Sequence, residues 1–163
     1  FDFLAIEADA LPGYKTAFHL YTVPGQITYN ATLQLVLKQA DGVVFVADSQ
    51  MDRQRDNLQS LQSLEANLRM NGSSLDRLPI VLQYNKRDLP NAAPVEYLEY
   101  LFNNRPVPFI SFESDAQSGR NVLATLNAIS QAVLHQFRLR NAPPSEHGEG
   151  VGSYEVPTHA LAA

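Results

Sequence analysis

Leu78-Pro79-Ile80-Val81-Leu82-Gln83-Tyr84-Asn85-Lys86-Arg87-Asp88 is an apolar run that ends in an N-K-x-D tetrapeptide. The run reads as a strand, and the tetrapeptide falls just past its carboxyl end. In a doubly wound α/β fold that is where ligands bind. The chemistry of the tetrapeptide suits guanine. Guanine offers two donors on one edge, N1–H and the 2-amino group, and the two oxygens of the Asp88 carboxylate can accept both. Adenine lacks these donors and would leave a desolvated carboxylate unpaired, a penalty large enough to set specificity. Asn85 can hydrogen-bond the far side of the base and the neighbouring loops. The methylene stem of Lys86 can cover the ring plane while its ammonium reaches solvent or the ribose. A solvated, charged turn is the plainer reading of these four residues. Their place at a strand end, with two further stretches at compatible spacing, weighs against it.

The first of those stretches is Tyr21-Thr22-Val23-Pro24-Gly25-Gln26. Residues 16–23 are rich in β-branched and aromatic types and read as a strand that Pro24-Gly25 breaks. With no Cβ in the way, the Gly25 N–H can approach a terminal phosphate. Gln26 carries the donor and acceptor needed to orient an attacking water. Alone, the stretch would pass for an ordinary strand-to-helix turn. The second is Phe112-Glu113-Ser114-Asp115-Ala116-Gln117, after the apolar strand Val107-Pro108-Phe109-Ile110-Ser111. A small residue such as Ala116 lets its N–H donate to a guanine O6, and Ser114 can steady the loop.

Strands and helices alternate along the chain. Residues 1–8 and 15–23 read as a hairpin joined through Leu11-Pro12-Gly13. Phe18 and Leu20 share one face of its second arm, and Ala17, His19 and Tyr21 share the other. A helix is expected over 28–40, and a nearly all-apolar strand, covered on both faces, from Gly42 to Ala47. A second helix over 52–70 carries the stripe Leu58, Leu61, Leu64 and Leu68. After the strand at 78–84, a short helix starts with Pro94 in its first turn and runs to about Phe102, with Leu98 and Leu101 inward. The last strand is expected over 107–112. A final helix over about 120–139 buries Val122, Leu126, Ile129 and Val133, with Phe137 on the same side. This order predicts an α/β fold, a mainly parallel sheet with helices on both faces. The domain is expected over 1–140. From Asn141 the chain turns polar and rich in Pro and Gly, so 141–163 reads as a disordered tail.

Composition narrows the function classes. The 163 residues, 45% of them hydrophobic, suffice for one core and not for two domains. A net charge of −5 argues against a nucleic-acid surface. There is no cysteine, which excludes disulfides and thiolate metal sites. No apolar run reaches the roughly 18 residues of a membrane span. His19, His135, His147 and His159 have no metal-ligand spacing, and no G-x-S-x-G elbow exists. Asp48, with Ser49, is expected to cap the following helix. Asp52, Asp56, Glu96 and Glu99 are read as solvated carboxylates on helix surfaces. The cytoplasm is the default location.

Taken in order, the strings Phe18-His19-Leu20-Tyr21-Thr22-Val23-Pro24-Gly25-Gln26, Asp41-Gly42-Val43-Val44-Phe45-Val46-Ala47-Asp48-Ser49 and Asn85-Lys86-Arg87-Asp88-Leu89-Pro90 resemble a Ras-like small GTPase. More closely, they resemble the bacterial gliding-motility and polarity GTPases of the MglA type. The resemblance covers about residues 1–138. It implies a Ras-like P-loop G domain and a cytoplasmic GTP/GDP switch with slow hydrolysis, Mg²⁺ as cofactor, effector proteins, and a Roadblock-fold activating partner. It also implies that Asn85, Lys86, Asp88, Ala116 and Ser114 build the base pocket, that Gly25 senses the γ-phosphate, and that Gln26 is catalytic. Two departures stand out. Where most such proteins carry Asp in D-x-x-G this chain has Thr22, a neutral hydroxyl that can only be second shell to the metal; the MglA-like group shares it. No G-x-x-x-x-G-K-[ST] occurs. Phe1-Asp2-Phe3-Leu4-Ala5-Ile6 already reads as the family's second strand, so the first strand and phosphate loop are expected to be missing from this chain. Residues 1–163 alone are therefore expected to bind GTP weakly. The alternative is a catalytically inactive Ras-like module that signals by protein contact.

Overall fold

The computed structural model describes residues 2–11, 14–24 and 30–141. Strands β1 (Phe3–Leu11) and β2 (Tyr14–Tyr21) form an antiparallel hairpin. Its register runs from Phe3 opposite Tyr21 to Ala8 opposite Thr16, then shifts before Leu11 meets Tyr14. Helix α1 (Asn30–Leu37) and strand β3 (Val43–Asp48) follow. A 3₁₀ turn over Met51–Arg53 leads into α2 (Gln54–Met70). Then come β4 (Ile80–Asn85), α3 (Val95–Phe102), β5 (Ile110–Glu113) and α4 (Val122–Asn141).

The parallel sheet that the alternation predicts is built from β3, β4 and β5, in that spatial order. Among the described residues the hairpin is a separate two-stranded sheet and shares no ladder with β3. In the parallel sheet, alternate residues point to opposite faces. Phe45, Ala47, Ile80, Leu82 and Tyr84 point to one face. There they pack with Leu64 and Leu68 of α2, Leu98 and Phe102 of α3, and Leu37 of α1. Val81 and the buried Ile129 of α4 belong to the other face, where α4 packs on all three strands. Gly42 lets α4 come this close. A Cβ there would lie 2.6 Å from Val133 Cγ2 and 3.0 Å from Ile129 Cδ1. The far end of that face is thinly covered, and Val46 is 53% exposed.

Helix ends follow from local chemistry. After α2, the Gly72 N–H bonds to the Arg69 carbonyl and the Ser73 N–H to the Leu68 carbonyl, with Gly72 at φ 73°. This left-handed closure satisfies carbonyls that the last turn leaves open. Pro94, expected inside the first turn of α3, is instead its N-cap residue at ψ 144°. Strand β5 starts three residues later than 107, and the segment before it is held by Asn103. The Phe109 N–H donates to Asn103 Oδ1 (2.7 Å), and Asn103 Nδ2 donates to the Phe109 carbonyl (3.0 Å). Pro106 and Pro108, without an N–H, cannot donate to a ladder.

Two expectations about burial are corrected. On α4 the buried pair is Thr125 and Ile129, one turn apart, while Phe137 is 46% exposed. Thr125 tolerates burial because its hydroxyl donates to the Asn121 carbonyl (2.8 Å). Glu99, read as solvated, is half-buried. It accepts from Asn103 Nδ2 (2.6 Å) and from the Ser111 hydroxyl (2.5 Å). The disordered tail expected over 141–163 falls, apart from Asn141, outside the described residues.

Candidate functional site

The carboxyl ends of the three parallel strands meet. Asp48 pairs in register with Asn85, and Tyr84 with Glu113. The segments Asp48-Ser49, Asn85-Lys86-Arg87-Asp88 and Ser114-Asp115-Ala116 are thereby brought to one edge of the sheet. Asn85 ties two of them together. Its Oδ1 accepts from the Ala116 N–H at 2.9 Å and from the Ser114 hydroxyl at 3.2 Å. Ser114 is fully buried, its N–H donates to the Tyr84 carbonyl (2.7 Å), and its carbonyl accepts from the Arg87 N–H (3.1 Å). The Ala116 N–H, expected to face a guanine O6, is thus given to Asn85. Asp88 is exposed, and its carboxylate takes no hydrogen bond or ion pair from a described residue. It is free to accept donors from a ligand.

Lys86 sits at φ 64°, a left-handed conformation uncommon for a side chain-bearing residue. Its ammonium is held by Asp48 Oδ2 at 2.7 Å, with the side chain still 48% exposed. Asp48 does not cap a helix. Its Oδ1 accepts from the Gln50 N–H (3.0 Å), a turn two residues on. The buried Asn57 of α2 fixes Asp48 from behind, accepting from its N–H (3.1 Å) and donating to its carbonyl (2.8 Å). Gln54 Nε2 donates to the same carbonyl (3.1 Å). Sequence reading missed Asn57 and Gln54, although the signal was present. The stripe Leu61, Leu64, Leu68 continues backwards at helical spacing to positions 57 and 54, so two amides face inward.

Arg87, the variable position of the tetrapeptide, also went unread. Its side chain is 13% exposed. Nε donates to Glu113 Oε2 at 2.9 Å and Nη1 to the Ala93 carbonyl. Nothing in the sequence signals this, because the pairing exists only once β4 and β5 are adjacent. Beyond it, the hydroxyl and N–H of Ser118, the Gln117 N–H and the nearby Arg120 hold the exposed Asp115 carboxyl below the usual carboxylate range. Burial, and then the Glu99 carboxylate, push the Tyr84 hydroxyl far above its ordinary value.

Thr22 lies at the end of the hairpin, where its hydroxyl bonds to Asp2. Gly25 and Gln26 lie outside the described residues. Among the described residues, no three His, Asp or Glu side chains gather as a metal site, and no helix is long and apolar enough to cross a membrane.

The chain matches known proteins over most of its length. The profile of the ADP-ribosylation factor (Arf) family matches residues 6–133. The mutual gliding-motility protein MglA of Myxococcus xanthus (strain DK1622) is 47% identical over 138 residues, which cover 85% of this chain and 70% of that protein. The N-K-x-D loop at the end of a parallel strand and the Asn85 bridge to the next loop sit within the matched region. The chain belongs to the Arf family of Ras-like small GTPases and is of the MglA type.

Proposed function

We propose that this protein is a guanine-nucleotide switch that hydrolyses GTP to GDP and acts in the cytoplasm, in cell polarity or gliding motility. The observation that carries the reading is the division of labour at the N-K-x-D loop. The Asn85 oxygen is spent on holding the Ser114–Ala116 loop, and the Asp88 carboxylate is left exposed and, among the described residues, unpartnered. A base presenting two adjacent donors completes it. Lys86, locked by Asp48, would lay its stem along the ring plane. The Ala116 N–H, shared with Asn85, would reach the base oxygen.

At the phosphate end the reading rests on family membership. Gly25 would offer its N–H to the γ-phosphate and Gln26 would orient the attacking water. Mg²⁺ would neutralise phosphate charge, with the Thr22 hydroxyl bonding at most to a water of its hydration shell. A Roadblock-fold activating protein would move Gln26 into place or stabilise the developing charge, and effectors would read the GTP state.

The test is a specificity switch. In the full-length protein Asp88→Asn should weaken GDP binding and improve xanthosine diphosphate binding, since an amide offers one donor and one acceptor. Unaltered GDP affinity in that variant refutes the base-reading role. Gln26→Leu should slow turnover under saturating activator while sparing nucleotide affinity, and unchanged turnover removes Gln26 from the mechanism.

A further inference from the structure

The N-K-x-D loop holds two cations and one acid, and among the described residues the acid is the one left without a partner. Lys86 and Asp88 are two residues apart, with Arg87 between them. Yet the Lys86 ammonium turns to Asp48 Oδ2 at the end of β3, 2.7 Å away. The Arg87 guanidinium turns to Glu113 Oε2 at the end of β5, 2.9 Å away, and to the Ala93 carbonyl. Each flanking strand thus supplies a carboxylate to one cation of the loop. The exposed Asp88 carboxylate takes no hydrogen bond or ion pair from a described residue. The Asp48 contact is the more firmly built of the two. Asp48 lies in register with Asn85, and the Ser49 N–H donates to the Asn85 carbonyl (2.9 Å). Asp48 Oδ1 accepts from the Gln50 N–H, and the buried Asn57 and Gln54 grip its backbone. Oδ2 is left for the ammonium, whose one partner among the described residues is this carboxylate.

We infer that Asp48 is a positioning residue that sets guanine specificity: by holding the Lys86 ammonium it keeps that charge off Asp88, so both carboxylate oxygens stay open to the two donors of the base. This rests on the guanine-nucleotide reading above. An ammonium carries three donors on a flexible four-carbon stem. Without Asp48, the acid nearest to it along the chain is Asp88. Its donors would then compete with N1–H and the 2-amino group for the same lone pairs. A base that loses those bonds is held by stacking and shape, and its exocyclic group goes unread. Asp48 acts through Lys86 and not on the base. Arg87 needs no such guard of equal strength, because the Ala93 carbonyl anchors it as well.

The experiment compares GDP with inosine diphosphate, which keeps N1–H and lacks the 2-amino group. The affinity of the full-length protein for each is measured by competition against a fluorescent GDP analogue, and their ratio is the readout. A change that only lowers the folded fraction scales both affinities alike and leaves the ratio in place. The wild type should prefer GDP about tenfold or more, the worth of one hydrogen bond to a charged acceptor. Asp48→Asn keeps an acceptor for the Gln50 N–H and offers the ammonium no charge. It should cut the preference about fivefold, most of what that bond contributes. Lys86→Met removes the competing charge. Adding Asp48→Asn to Lys86→Met should therefore leave the ratio within about twofold of Lys86→Met alone. A disturbed loop, by contrast, would lower the ratio in both backgrounds. An unchanged ratio in Asp48→Asn, or an equal drop in both backgrounds, overturns the inference while the base reading stands. A wild type that binds GDP and inosine diphosphate alike overturns both.

Discussion

Arg87→Ala is expected to destabilise the fold more than removal of its ionic partner does. The guanidinium makes two contacts of unequal worth. Its pairing with Glu113 has one partner 45% exposed, so solvent screening leaves it at about 0.5 kcal/mol. Its hydrogen bond to the Ala93 carbonyl, from a largely buried charged donor, is worth about 1.5–3 kcal/mol. Arg87→Ala should then cost about 2–3 kcal/mol, and Glu113→Ala under about 1 kcal/mol. Arg87→Lys should recover only the smaller part, since one ammonium lacks the fork that serves both partners. The assay is urea unfolding followed by circular dichroism at neutral pH without nucleotide, because bound ligand adds its own stabilisation. The slope with urea should stay constant across the series. Equal losses for Arg87→Ala and Glu113→Ala would refute the reasoning, as would an Arg87→Ala cost below about 0.5 kcal/mol.

Two further outcomes follow from packing. Gly42→Ala should lower stability by about 1–3 kcal/mol through overpacking against α4, with a methyl 2.6 Å from Val133 Cγ2. A thermal double-mutant cycle with Val133→Ala should show coupling, and strict additivity would contradict the clash. Tyr84→Phe should leave stability unchanged or raise it by up to about 1 kcal/mol, because the buried hydroxyl makes no hydrogen bond of good geometry among the described residues and faces the Glu99 carboxylate. A substantial loss in chemical denaturation would mean that the hydroxyl is bonded after all.

The sequence told most where periodicity and position coincide. The apolar stretches that became β3 and β4, and the α2 leucine stripe, were readable because burial on a sheet face or helix stripe demands apolar residues at fixed spacing. What it told least about were contacts made by polar residues facing inward. Thr125, Asn57 and Gln54 look like surface residues until the backbone groups they satisfy are known. Asp48 was read as a cap because local sequence cannot reveal a lysine 38 residues away. Glu99 was read as solvated for the same reason. Asn103 is one turn on at the end of α3, but Ser111 reaches it only once α3 lies against β5. The late start of β5 shows a side-chain amide of Asn103 outcompeting a ladder that two prolines had already weakened.

The Asn85 amide has a fixed polarity. Two donors from the neighbouring loop converge on its oxygen, so flipping the group would oppose like to like. Its nitrogen end, unpartnered among the described residues, must turn the other way. This edge of the sheet therefore offers a hydrogen to one side of an incoming ring and lone pairs at position 88 to the other. That asymmetry is set during folding, and a molecule arriving the wrong way round meets it already in place.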